Sequence, residues 1–189
     1  LGPDLAAAAA CATRLLLRQR LFTLRLDVAR LRYDRAIIFD SMLHFCRVTR
    51  LTMDELEEDT GCLRDGCTLI RPGEPPTCLV LYRETRHRWR RNFTLAHEVG
   101  HIYLGHQSDG DIQEREANAF AAQLLLPEVL VCELARQTQG PLFPEELAGV
   151  FGASRRAAQV RMDLLRHKGA PAFTPADRQL LQKFRHLLP

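Results

Sequence analysis

The 189 residues are 46% apolar and 26% charged, with a net charge of +3. That balance lies near the globular average, and the length suffices for one real core without disulfide staples. No apolar run reaches the about 18 residues that a membrane span needs, and so small a charge gives no case for nucleic-acid binding over the whole surface.

Residues 5–33 carry Leu and Ala at helical spacing with Arg on the other face, which predicts one or two amphipathic scaffold helices. The run Ala6 to Ala10 lacks a basic leader and passes into Arg14 to Arg18, so it reads as helix rather than secretion signal. Ile37 to Phe39 is β-prone; Met42 to Arg47 and Leu51 to Leu56 suggest helix, with Thr52 as a cap. Cys67 to Arg71 and Cys78 to Arg83 are strand candidates, and the Pro72-Gly73-Glu74-Pro75-Pro76 turn between them predicts a hairpin. The second strand is either an exposed edge able to pair with an extended peptide or an ordinary structural strand. The six cysteines (Cys11, Cys46, Cys62, Cys67, Cys78, Cys132) include no Cys-x-x-Cys pair, which points to free thiols in a reducing cytoplasm. Cys62, Cys67 and Cys78 match no zinc-ribbon spacing.

Arg83, Arg86, Arg88, Arg90 and Arg91, with Trp89 among them, form a basic connector that either grips an acidic partner or is simply solvated. Asn92 is then placed to cap a helix running to about His106. This helix is apolar on nearly every face except His97-Glu98-Val99-Gly100-His101. Residues i and i+4 lie one turn apart, so His97 and His101 can point at one ion while Glu98 takes a proton from water activated there. Two imidazoles and a carboxylate buried without partners would cost about 1–3 kcal/mol each, so ligation explains them better than a core role.

A zinc site needs a third protein ligand. The segment from Glu114 to Pro127 reads as a helix with Ala117, Ala121, Leu124 and Leu125 as its buried stripe and Pro127 at its exit. Glu114 and Asn118 flank that stripe four residues apart, so Glu114 can bind the ion while the Asn118 amide oxygen accepts the free ring N–H of a ligating His. Glu116, rotated by about 200°, is the alternative ligand, and His106, about 140° from His101, is better placed at the rim. Tyr103 and His106 are the available guesses for an oxyanion donor.

Pro144 to Phe151, Gly152, then Ser154 to Met162 reads as helix, turn and Ser-capped helix. Arg155, Arg156 and Arg161 on the second helix permit DNA binding, but two packed helices completing the fold are favoured at this modest charge. After Gly169 to Ala172, Thr174 to Leu188 forms a last amphipathic helix, docking on the body or on a partner.

The two separated motifs, Phe93-Thr94-Leu95-Ala96-His97-Glu98-Val99-Gly100-His101 and Glu114-x-x-Ala117-Asn118-x-Phe120-Ala121-Ala122-x-Leu124-Leu125-Leu126-Pro127, together resemble the ImmA/IrrE family over about residues 65–165. The resemblance implies a gluzincin-like zinc metallopeptidase: Zn2+ on His97, His101 and Glu114, Glu98 as catalytic base, and Asn118 orienting a His. It also implies a protein substrate, a helix-turn-helix transcriptional repressor or similar regulatory protein. Thermolysin-like enzymes usually have Asp where this chain has Asn118, and a neutral amide raises ligand basicity less.

The expected fold is α+β and helix-rich, a zincin-like metallopeptidase core with a small sheet and a helical C-terminal lobe. The segments are an N-terminal helical part (1–60), the catalytic core (61–130) and the lobe (131–189). The expected activity is cytoplasmic zinc-dependent endopeptidase, with no membrane partner. The rivals are a non-catalytic regulator and a toxin–antitoxin partner that binds protein or DNA. Two His and a carboxylate also suit manganese, iron or cobalt.

Overall fold

Asp4 opens the first helix, α1 (Leu5–Leu17), by accepting a hydrogen bond from the Ala7 amide. The computed structural model describes residues 2–60, 65–108, 110–168 and 172–189; Cys62 and residues 169–171 lie outside them. The buried face of α1 is Ala8, Ala12, Leu15 and Leu16, the i, i+4, i+7, i+8 stripe of an amphipathic helix. Of the one or two helices expected before residue 33, one forms; after α1 the segment is irregular apart from a 3-10 turn at Val28–Arg30. Side chains take its backbone groups instead. Buried Gln19 donates to the carbonyls of Leu15 (3.0 Å) and Arg32 (2.9 Å) and accepts from Arg32 N (2.9 Å). Such local alternatives compete directly with helical hydrogen bonds.

Three strands follow: β1 (Ala36–Ser41), β2 (Gly66–Arg71) and β3 (Thr77–Tyr82). The β2–β3 hairpin forms as read, antiparallel, with Leu69 opposite Leu79. However, β3 also pairs in parallel with β1, giving the order β1-β3-β2. β3 is therefore the central strand and not an exposed edge. Its apolar run fits burial on both faces: Val80 turns to the main core and Leu81 to a smaller cluster with Met42, Cys46 and Leu56. Those last residues come from α2 (Met42–Thr49) and α3 (Met53–Thr60), and Thr52 caps α3 by accepting from the Glu55 amide while its own amide donates to Glu55.

The remaining helices are α4 (Arg88–Leu104), α5 (Asp111–Leu125), α6 (Glu128–Gln137), α7 (Pro144–Phe151), α8 (Arg155–Lys168) and α9 (Pro175–Phe184). Helix α4 begins before Asn92, with His87 as its N-cap. Asn92 is instead a tie to the irregular segment, donating to Leu26 O (3.0 Å) and accepting from Val28 N (2.9 Å). Ser154 caps α8 by accepting from Ala157 N at 3.1 Å. Helix α9 docks on the body: Leu180 and Phe184 are buried, Lys183 donates to Leu17 O, and Arg185, just beyond its end, pairs with Glu133. The fold is helix-rich α+β, and among the described residues no single helix is long and apolar enough to cross a membrane.

Candidate metal centre

Helices α4 and α5 cross at Gly100, in the middle of the His-Glu-x-x-His run. A Cβ there would sit 3.2 Å from the Cα and carbonyl oxygen of Ala117 and from Phe120 Cβ. The missing side chain lets the helices approach until Glu114 reaches the two imidazoles. Gly100→Val is expected to lower stability by about 1–3 kcal/mol through overpacking and to weaken metal binding, checked by urea denaturation and chelator competition.

Three atoms converge at the crossing. His97 Nε2 and His101 Nε2 are 3.0 Å apart, and Glu114 places Oε2 3.6 Å from the first and Oε1 3.6 Å from the second. Ligand atoms of these three residues lie within 4.8 Å of one another. Two ligands on a tetrahedral zinc, each bonded at about 2.0–2.1 Å, are separated by roughly 3.3–3.4 Å, so the spacing suits one small cation. Two nitrogen lone pairs aimed at each other across 3.0 Å repel unless a cation or a proton lies between them.

The other ring nitrogens fix the tautomers. His97 Nδ1 lies 3.1 Å from the Asn118 amide oxygen, which accepts its proton and leaves Nε2 as a lone pair. His101 Nδ1 meets His106 Nδ1 at 3.1 Å, and His106 Nε2 meets Glu116 Oε2 at 3.0 Å. A single orientation satisfies that chain: His101 Nδ1–H donates to His106, whose Nε2–H donates to Glu116. The second Glu116 oxygen accepts from Asp4 N at 2.7 Å, tying the start of α1 to the site. Glu116 thus faces His106 and Asp4, not the two Nε2 atoms, so it is no alternative ligand. His106 lies behind His101 rather than at the rim, and neither it nor Tyr103 is an oxyanion donor: Tyr103 donates to Asp34 at 2.6 Å and packs on Phe120.

Sequence reasoning missed Thr68, whose hydroxyl donates to Glu98 Oε2 at 2.7 Å. Strand β2 comes that close because Gly66 has no side chain; a Cβ there would collide with Thr94 Cγ2 at 2.4 Å. Only long-range pairing brings Thr68 to Glu98, which no local pattern signals. The edge strand beside Glu98 is therefore β2. A cleft of about 1170 Å³ opens over His97, Glu98 and Glu114, walled by Trp89 and Phe93 on one side and by Val160, Arg161 and Leu164 of α8 on another.

The basic connector is largely tied down. Arg86 and Arg90 both pair with Asp65, Arg83 pairs with Glu57, and Arg91 lies over the Tyr82 ring. On α8, Arg155 pairs with Glu145 and Arg161 is buried. Two of the three arginines considered for DNA are thus otherwise placed.

The family model for the IrrE N-terminal-like domain, Peptidase_M78, matches residues 68–163, just over half the chain. The chain belongs to this peptidase family. A comparison with curated proteins finds no match. The IrrE N-terminal-like match runs from β2 through α8. It takes in Thr68, both helices of the candidate metal centre, and Val160 and Arg161 of the α8 wall of the cleft. The five described cysteines, Cys11, Cys46, Cys67, Cys78 and Cys132, are all free thiols, and Cys78 and Cys132 fall within the matched residues.

Proposed function

We propose that the protein is a zinc-dependent endopeptidase in which His97, His101 and Glu114 hold the metal and Glu98 is the catalytic base. One observation carries the reading: three ligand atoms converge on one point beside Glu98, at the floor of a cleft large enough for a peptide. A divalent cation held by these residues supplies Lewis acidity to the scissile carbonyl and lowers the pKa of water toward neutrality. The chain's own residues do the rest. Glu98 accepts the proton of the attacking water and returns it to the leaving amine. Thr68 donates to one Glu98 oxygen, which fixes the carboxylate's rotamer. Asn118 and His106 keep both imidazoles in the tautomer that offers Nε2. The outer edge of β2, beside Glu98, suits pairing with an extended peptide.

The substrate we propose is a helix-turn-helix repressor in the cytoplasm, a choice supported by the ImmA/IrrE resemblance and, for the compartment, by the free thiols. The test is to incubate the zinc-loaded protein with a peptide library and read new termini by mass spectrometry. Cleavage that stops with chelator and returns with stoichiometric zinc supports the reading. No cleavage by fully metallated protein, of the library or of a co-expressed repressor, counts against it.

A further inference from the structure

We propose that Arg161 is a recognition group of the cleft that takes a carboxylate of the bound peptide, an inference that rests on the peptidase reading. Arg161 is only 7% exposed and lines the same cleft as His97, Glu98 and Glu114. Its Nε and Nη2 have no hydrogen-bond partner. Nη1 approaches Glu128 Oε2 at 3.8 Å, an ion pair beyond hydrogen-bond length. Leaving buried donors of a charged group idle is costly, and native chains rarely tolerate it without a use.

The geometry of the idle pair says what the use is. Nε–H and the Nη2–H beside it point the same way and form the side-on fork of the guanidinium, the pair that grips both oxygens of one carboxylate. A lone carbonyl or hydroxyl oxygen would have to be shared by both donors in bent, weaker hydrogen bonds and would bring no charge. Glu128 approaches Nη1, so the fork remains open to a ligand. On either side along α8, Val160 (51% exposed) and Leu164 (46% exposed) present apolar surface to the same cleft. The peptide that fits has a carboxylate next to an apolar side chain. That carboxylate comes either from an Asp or Glu side chain or from the peptide's C-terminus.

The test uses two readouts. Full-length, zinc-loaded Glu98→Gln protein is probed on a peptide array in which every peptide appears with Glu or Gln at each position and with a free or amidated C-terminus. Zinc-loaded wild-type protein is then assayed for cleavage of the same set. Binding that favours Glu over Gln at one position, or the free over the amidated end, supports the proposal and identifies the source. Adding Arg161→Met should remove that preference and, in the active protein, lower kcat/KM for carboxylate-bearing peptides by about 10–100-fold while changing their neutral counterparts by less than about 3-fold. Arg161→Lys keeps the charge without the fork and should recover only part of the preference. Arg161→Met should unfold in urea no earlier than wild type, since it removes a buried charge with unused donors. If Arg161→Met does not fold, the wild-type and Arg161→Lys profiles decide. No carboxylate preference in the wild-type site, or one unchanged in the Arg161 variants, overturns the proposal. Selective binding lost in the variants, with no cleavage by wild type, would leave Arg161 as a recognition residue and remove the peptidase reading instead.

Discussion

Glu98→Gln is expected to reduce kcat/KM on a cleaved peptide by about 10²–10⁴-fold, the usual contribution of a positioned general base, with zinc still bound at one ion per chain. The amide has nearly the shape of the carboxylate, and its oxygen can still accept from the Thr68 hydroxyl, now 2.7 Å from Glu98 Oε2. The contacts that orient His97 and His101, from Asn118 and His106, are untouched. What the variant loses is a group able to take a proton near neutral pH. Peptide kinetics beside metal analysis by mass spectrometry separates the two effects. Near-wild-type cleavage with zinc in place would remove Glu98 from the mechanism. Low activity with lost zinc would make it a structural residue.

The second large effect distinguishes two glutamates that are neighbours in sequence but not in role. Glu114→Ala should abolish stable zinc binding and, with it, activity, because only His97 and His101 then remain as ligands, and two ligands do not make a closed site. Glu116→Gln should leave all three ligands in place and weaken zinc binding by about 10–100-fold, the usual cost of disturbing an outer partner of a ligating His. The path is physical: Glu116 orients His106, and His106 orients His101. Chelator competition on both purified variants measures the contrast. Equal loss in the two, or a greater loss in Glu116→Gln, would mean that the ligand assignment is wrong.

The parts that were legible in the sequence depend on local periodicity and short-range turn chemistry. The β2–β3 hairpin is signalled by its Pro-Gly turn, and the buried stripe of α5 by its 3.6-residue repeat. The convergence of His97, His101 and Glu114 follows once both helices are placed. The central position of β3 was not legible, because strand order depends on which edge β1 joins from forty residues upstream. His106 was misplaced for a different reason. Its angle from His101 was projected along a continuing helix, but α4 ends at Gly105, whose φ of 72° turns the chain and carries the ring back behind His101. Asn92 looked like a cap because its residue type favours caps, yet its amide is used 64 and 66 residues away, on Val28 and Leu26. For Arg161 a signal was present: it stands in the Ala158, Arg161, Met162 spacing of a buried face, which argues against a DNA-facing role.

The central claim is that one divalent cation binds between α4 and α5 on His97, His101 and Glu114. Anomalous diffraction at the zinc edge from crystals of the zinc-loaded protein tests it most directly. The account predicts a single strong peak bonded at about 2.0–2.2 Å to Nε2 of both histidines and to a Glu114 oxygen. A peak on His106 and Glu116 instead, or none at this crossing in a protein that holds zinc elsewhere, would contradict it.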